Sequence, residues 1–366
     1  MRRHHVPQGL RGSTPYDPFA RGPFPVGVRT VDVCDEARGG RRLPIEVWYP
    51  ATDAHAGQDL ADPTRDRYDI VPGFPPLVQD AVRGATPRAG RHPLVAFSHG
   101  SGGHRRQSTF LTTHLASHGY VVAAVDHTGN TYRDMMQLAV AVRSGAPLPD
   151  TTTVVRQLAD SRPADVAFMG ERVQAVFRDV DLDRLGMIGH SIGGWTTLLA
   201  VKRVPRLRAI VLLAPAGGRR AGGRNPFAEL LDFGWGRDVP ALYLVAGRDT
   251  LSPLEGMHDL LTRTPGTKHL FVLEHADHWH FCDRVEQVHE MVRKMPPPGL
   301  EDEIARRLPP VAELCPGEHA YLFVRALTLA HFDAFLMGDE AARRFLDGQA
   351  RAALAGRGVV ATAQGA

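Results

Sequence analysis

The chain runs to 366 residues, 43% hydrophobic and 23% charged, with a formal net charge of +3. That is enough apolar content for a large buried core in one elaborated domain. The mild positive charge is spread out, with no long Lys/Arg block and no basic stripe interleaved with aromatics, which excludes nucleic acid as an expected partner.

The first residues, MRRHHVPQGLRGSTPYDPFARGPFP, have the basic start of a signal peptide but no apolar stretch behind it. Residues 1–23 therefore read as an uncleaved N-terminal extension of a cytoplasmic protein. Three cysteines, Cys34, Cys282 and Cys315, form no C-x-x-C pair and no disulfide framework, in keeping with a reducing compartment.

From residue 24 to 366 the pattern is that of a single domain. VGVRTVDV (26–33) and PIEVWYP (44–50) flank a Gly/Arg turn and predict an antiparallel hairpin. An insertion at 51–91 follows, polar and containing Pro and Gly. Continuous apolar runs then recur at 93–99, 120–126, 185–190, 207–215, 239–247 and 268–275. Such runs suit strands buried on both faces of a parallel sheet. The total is eight strands, most of them alternating with helical patterns. They predict an α/β fold, a mostly parallel eight-stranded sheet with helices on both faces.

Two further segments break the rhythm. Residues 128–160 predict a small cap-like insertion over a cleft, followed by a helix over RPADVAFMGERVQAVF with Pro163 near its first turn. Residues 295–366 predict a C-terminal helical segment containing a long helix at about 318–337. Its apolar stretch YLFVRALTLAHFDAFLM carries Arg325, His331 and Asp333, so it reads as a buried helix and not a membrane span.

The chemistry-bearing stretch is LGMIGHSIGGWTTLL, residues 185–199. Ser191 ends a predicted strand and opens a helix, the context a G-x-S-x-G elbow requires. Gly189 and Gly193 let strand and helix approach closely, and the Ile192 N–H at the helix start faces developing negative charge. A serine nucleophile needs a base and an orienting acid, expected at the ends of later strands in the order Ser, acid, His. Asp249 follows the seventh strand, and His275, His278 and His280 compete after the eighth. The H-x-x-H-x-H spacing matches no common zinc signature, so neither a metal nor a cofactor is expected. The glycine loop AFSHGSGGHRRQS after the third strand predicts Ser101 N–H as the second oxyanion donor. Arg105 and Arg106 read as a solvated loop or as anion-binding groups, and Trp195 as core. Met135 and Met136 read as buried packing or as the lining of an acyl pocket.

HGSGG, GHSIGG, GRDTLSP and ADHWHFCD, with IEVWYP before a long insertion and FSHG, resemble the serine α/β-hydrolases near the platelet-activating-factor acetylhydrolases and the dienelactone-hydrolase-like bacterial esterases. The likeness runs from about residue 24 to the final helix. It implies the α/β-hydrolase fold, Ser191 as nucleophile, and Ser101 and Ile192 as oxyanion donors. The family's terminal pattern of His, Phe three residues on and Asp five on fits His278, Phe281 and Asp283 and selects His278. Acetylhydrolases of the animal type place the acid after the sixth strand. Here that strand ends LLAPAGG without a carboxylate, which selects Asp249. Dienelactone hydrolases carry a cysteine where this chain has Ser191. The expectation is a serine esterase acting on small-molecule esters of short to medium acyl length. An amide or peptide hydrolase with the same triad, and a non-catalytic ligand-binding protein on the same scaffold, are the alternatives.

Overall fold

A computed structural model describes residues 16–70, 75–221 and 223–364. Most of the N-terminal extension, residues 1–15, lies outside the described residues. Among the described residues there are twelve strands: β1 (Val26–Asp35), β2 (Arg41–Pro50), β3 (Asp66–Tyr68), β4 (Leu77–Gln79), β5 (Val82–Arg83), β6 (His92–Ser98), β7 (Val121–Val125), β8 (Val180–His190), β9 (Leu207–Leu213), β10 (Ala241–Ala246), β11 (Lys268–Leu273) and β12 (Ala361–Gln364). Ten of them form one sheet in the order β12-β11-β10-β9-β8-β6-β7-β2-β1-β5, while β3 and β4 pair separately.

The eight strands expected from the sequence are β1, β2 and β6 to β11. The sheet is larger than expected by two short edge strands, β5 beside β1 and β12 antiparallel to β11. The C-terminal segment is therefore not wholly helical. Pairing is parallel from β7 through β6, β8, β9 and β10 to β11, and antiparallel where β2 meets β7 and β1.

Strand periodicity explains the two-sided core. In β10, Leu242, Leu244 and Ala246 pack on one face of the sheet, and Ala241, Tyr243 and Val245 on the other. The first face is covered by α1 (Thr109–Ser117) and by the long helix α6 (Gly317–Leu336). The second is covered by α3 (Thr151–Val176), α4 (Ile192–Arg203) and α5 (Leu254–Arg263). Between α1 and α3 lies α2 (Tyr132–Arg143), which is largely exposed. No helix among the described residues is long and apolar enough to cross a membrane.

Pro163 corrects one expectation. It lies inside α3, which runs unbroken from Thr151 to Val176 and is not divided before residue 162. Asp150 caps the helix at its true start, accepting from Thr153 N at 2.8 Å. Proline has no N–H and displaces the carbonyl four residues earlier. That carbonyl, on Ala159, instead accepts from the Arg203 guanidinium of α4. Tertiary packing thus supplies the partner that the helix lost.

After β6 the chain moves outward to β7, then returns to the other side of β6 to form β8. Crevices at the carboxyl ends of strands open at such a reversal. Ser98 and Ser191 sit at or just past the carboxyl ends of β6 and β8, with Ser98 in register with Gly189.

Candidate active site

Ser191 occupies the tight corner between β8 and α4 with φ 57° and ψ −119°. A non-glycine residue there is strained, and the surroundings hold it in place. Its N–H donates to Leu213 O at 2.9 Å, and its carbonyl accepts from Trp195 N and Ala216 N at 3.1 and 3.0 Å. A Cβ at Gly189 would lie 2.0 Å from Gly193 O, and one at Gly193 would lie 1.9 Å from Ser98 O. Only glycine fits either position. Trp195 is fully buried and donates to Phe227 O at 2.8 Å, so it belongs to the core.

Asp249 and His278 follow β10 and β11 and meet. His278 Nδ1 lies 3.1 and 3.0 Å from the two carboxylate oxygens of Asp249. Asp249 is held in turn by Leu251 N and Ser252 N, at 2.8 and 2.6 Å from its Oδ1. Burial alone would lower the His278 pKa. The charge and hydrogen bond of Asp249, with the charge of Asp277, outweigh it and raise the pKa above the ordinary 6.5.

The competing groups go elsewhere. His275 is exposed. The His280 ring lies against the Asp277 backbone and donates from Nε2 to Cys315 O at 3.1 Å. Asp277 accepts from Thr250 N and Oγ1 at 2.9 and 2.6 Å, and Glu274 accepts from Thr362 Oγ1 at 2.9 Å. Burial and the neighbouring Asp249 push Asp277 up to about 6. Among the described residues, no three His, Cys, Asp or Glu side chains converge as a metal site would require.

The N–H groups of Ser101 and Ile192 find no backbone acceptor among the described residues. Gly100 joins their two loops: a Cβ there would lie 3.5 Å from Ser191 Cβ. Segment 128–160 reaches the same place. Asn130 Nδ2 donates to Ser101 Oγ at 3.2 Å, and a Cβ at Gly102 would come within 2.9 Å of Met135 Cγ. Met136, by contrast, is 46% exposed. Arg105 and Arg106 are neither free in solvent nor available to an anion. Arg106 pairs with the buried Glu46 at 2.8 Å, and Arg105 pairs with Asp126 and Glu46.

Several residues here gave no signal in the sequence. His190, beside Ser191, is fully buried with its ring 4.7 Å from that of His278. Gln107 Nε2 donates to His190 Nδ1 at 3.0 Å, and His190 Nε2 donates to His278 O at 3.0 Å. Gln107 Oε1 meanwhile accepts from Gly100 N at 2.9 Å. One amide side chain therefore ties the glycine loop to the backbone of His278. Asp283, within the terminal family pattern, accepts from Thr109 N and Phe110 N at 2.8 and 3.0 Å and so fixes that loop to the start of α1.

Comparison with known proteins agrees with this architecture. Residues 90–236 match the family described as serine aminopeptidase, S33, a stretch that includes Ser191 but stops before Asp249. The bovine platelet-activating factor acetylhydrolase is 29% identical over 154 residues, covering 34% of this chain and 35% of that protein. Cutinase est1 of Thermobifida alba is 28% identical over 194 residues, 52% of this chain and 54% of that one. The chain thus spans about a third of the length of the acetylhydrolases it matches. A ferulic acid esterase structure from Streptomyces cinnamoneus superposes with a TM-score of 0.57 at 24% identity, over 89% of this chain and 93% of that one. The chain has the α/β-hydrolase fold, and over part of its length it is similar to the platelet-activating-factor acetylhydrolases and the Thermobifida cutinases.

Proposed function

We propose that the chain hydrolyses carboxylic esters of short to medium acyl length through an acyl-enzyme. His278 Nε2 takes the proton of Ser191 as Oγ attacks the acyl carbon. Asp249 keeps Nδ1 protonated and stabilises the imidazolium that forms. The N–H groups of Ser101 and Ile192 hold the oxyanion, and His278 then returns its proton to the leaving alcohol. Water activated by His278 releases the acid. The observation that carries this reading is the buried Asp249–His278 pair, at the same sheet edge as a serine strained on an elbow that only glycines permit.

The curated relatives named above are an acetylhydrolase and a cutinase, which supports an ester over an amide substrate. The aminopeptidase description of the matching family keeps amide hydrolysis as the second reading. One acyl group presented as a p-nitrophenyl ester and as a p-nitroanilide separates them. Turnover of the ester with none of the anilide supports the proposal, and preferred turnover of the anilide refutes it. In this reading α2 forms a cover beside the oxyanion loop. Met135, Leu138, Ala139 and Val142 fall on one helical face and are more buried than Met136 and Val140.

A further inference from the structure

We infer that Arg162, in the middle of α3, is a positioning residue for the oxyanion hole. It acts through Asn130 and the His99 carbonyl and touches no substrate. The inference rests on the esterase reading above.

Arg162 is fully buried, yet it makes no ion pair with a carboxylate among the described residues. The nearby carboxylate of Asp165 is already shared by Arg38, Arg41 and His127. The guanidinium donates instead to three neutral groups: the His99 carbonyl, Asn130 Oδ1 at 2.7 Å and Ser98 Oγ at 3.3 Å. Its Nε has no partner among the described residues. Burial lowers its pKa to about 9, so it stays charged at neutral pH. A buried charge without a direct counter-ion is costly, and an apolar side chain would fill this space at less expense. Its three acceptors show what it does there: all of them lie on the glycine loop or brace it.

Asn130 passes the constraint on. Its Nδ2 donates to Ser101 Oγ at 3.2 Å, and its carbonyl accepts from Gly102 N at 3.2 Å. The His99 ring fixes the remaining peptide. Its Nδ1 donates to Gly100 O at 2.7 Å, and its Nε2 accepts from His127 N at 3.0 Å. Gly103 N also donates to Gly100 O, at 3.2 Å. A trans peptide is planar, so a Gly100 carbonyl held against the buried His99 ring turns the Ser101 N–H the opposite way. The orientation of that donor therefore depends on a loop clamped at Ser98, His99, Ser101 and Gly102; Arg162 contacts the first two directly and reaches the other two through Asn130, by its side chain to Ser101 and by its backbone carbonyl to Gly102.

The test uses Arg162→Met, Arg162→Lys and Asn130→Ala, with enzyme concentration set by end-point titration of Ser191 with a fluorophosphonate. The substrate is p-nitrophenyl acetate. The inhibitor is a trifluoromethyl ketone, which binds as a tetrahedral oxyanion. Removing a direct oxyanion donor lowers kcat by about 10²–10³. Loosening one indirectly is expected to lower kcat by about 10- to 100-fold in Arg162→Met, with KM nearly unchanged. Trifluoromethyl ketone affinity should fall in parallel. Arg162→Lys, which keeps a charged donor, should recover part of both, and Asn130→Ala should show the same pattern at smaller amplitude. A purely structural role would lower the melting temperature without changing kcat per titrated site. If Arg162→Met does not fold, Asn130→Ala decides alone. Folded variants with wild-type kcat and wild-type ketone affinity overturn the inference. A wild-type protein that neither turns over ester nor is labelled at Ser191 overturns the esterase reading, and the inference with it.

Discussion

Asp249→Asn is the substitution whose consequence follows most fully from the geometry. Asp249 Oδ1 accepts two backbone N–H groups, Leu251 at 2.8 Å and Ser252 at 2.6 Å, while both oxygens face His278 Nδ1. An asparagine can place its oxygen on only one side. Turning the NH₂ toward the two backbone donors would leave both unsatisfied, at about 1–3 kcal/mol each. The oxygen therefore stays on Leu251 and Ser252, and the NH₂ faces His278. Nδ1 must then accept, which moves the ring proton to Nε2, the nitrogen that has to receive the Ser191 proton. The wrong tautomer lowers kcat by about 10⁴, or roughly 5.4 kcal/mol of transition-state stabilisation. The fold should survive, because the replacement is isosteric and keeps both backbone bonds. Steady-state hydrolysis of p-nitrophenyl acetate, with a melting curve for each protein, gives the answer. A folded Asp249→Asn within tenfold of wild-type kcat would refute the reasoning.

Three other outcomes follow from the same structure. His278 accepts a proton only when neutral, and its pKa is raised, so kcat/KM should climb with pH through a midpoint above 6.5; a midpoint at or below 6.5 contradicts the Asp249 pairing. Gly193→Ala places a methyl 1.9 Å from Ser98 O, which backbone must yield to; it should cost more than the ~1–3 kcal/mol of ordinary overpacking, and a melting temperature like that of wild type would show the elbow is looser than described. Shortening segment 136–149, which leaves Asn130 in place, should shift preference toward longer acyl esters while keeping Ser191 chemistry; altered stability with unchanged chain-length preference, read from a p-nitrophenyl ester series, would make α2 scaffold and not cover.

What could be read from the sequence was what periodicity and composition record. Strands β6 to β11 announce themselves because both faces are buried, which leaves uninterrupted apolar runs such as YVVAAVD and VPALYLVAG. The edge strands β5 and β12 did not, since Val82–Arg83 and Ala361–Gln364 gain their pairing from a neighbour and carry little apolar signal of their own. Pro163 misled because local preference stops a helix there, whereas Arg203 from α4 meets the carbonyl it frees. Ser191, Asp249 and His278 were legible as residues at strand ends. The groups that hold their surroundings were not. Arg162, Asn130, Gln107 and His190 belong to four separate segments, and nothing in the chain before folding marks them as neighbours. Ion pairing was equally hidden: Arg105 and Arg106 read as a surface loop, yet they neutralise Glu46 inside the sheet.

The central claim is that Ser191 forms a covalent acyl-enzyme with an ester substrate. Intact-protein mass spectrometry after fluorophosphonate treatment, alongside pre-steady-state hydrolysis of p-nitrophenyl acetate, tests it directly. The account predicts a single adduct mapped to Ser191 and a burst of p-nitrophenol equal to the enzyme concentration wherever deacylation is slow. Both should be lost in Ser191→Ala, with kcat down by about 10⁴ to 10⁶. A folded Ser191→Ala that is still labelled, or that retains turnover within tenfold of wild type, would contradict it.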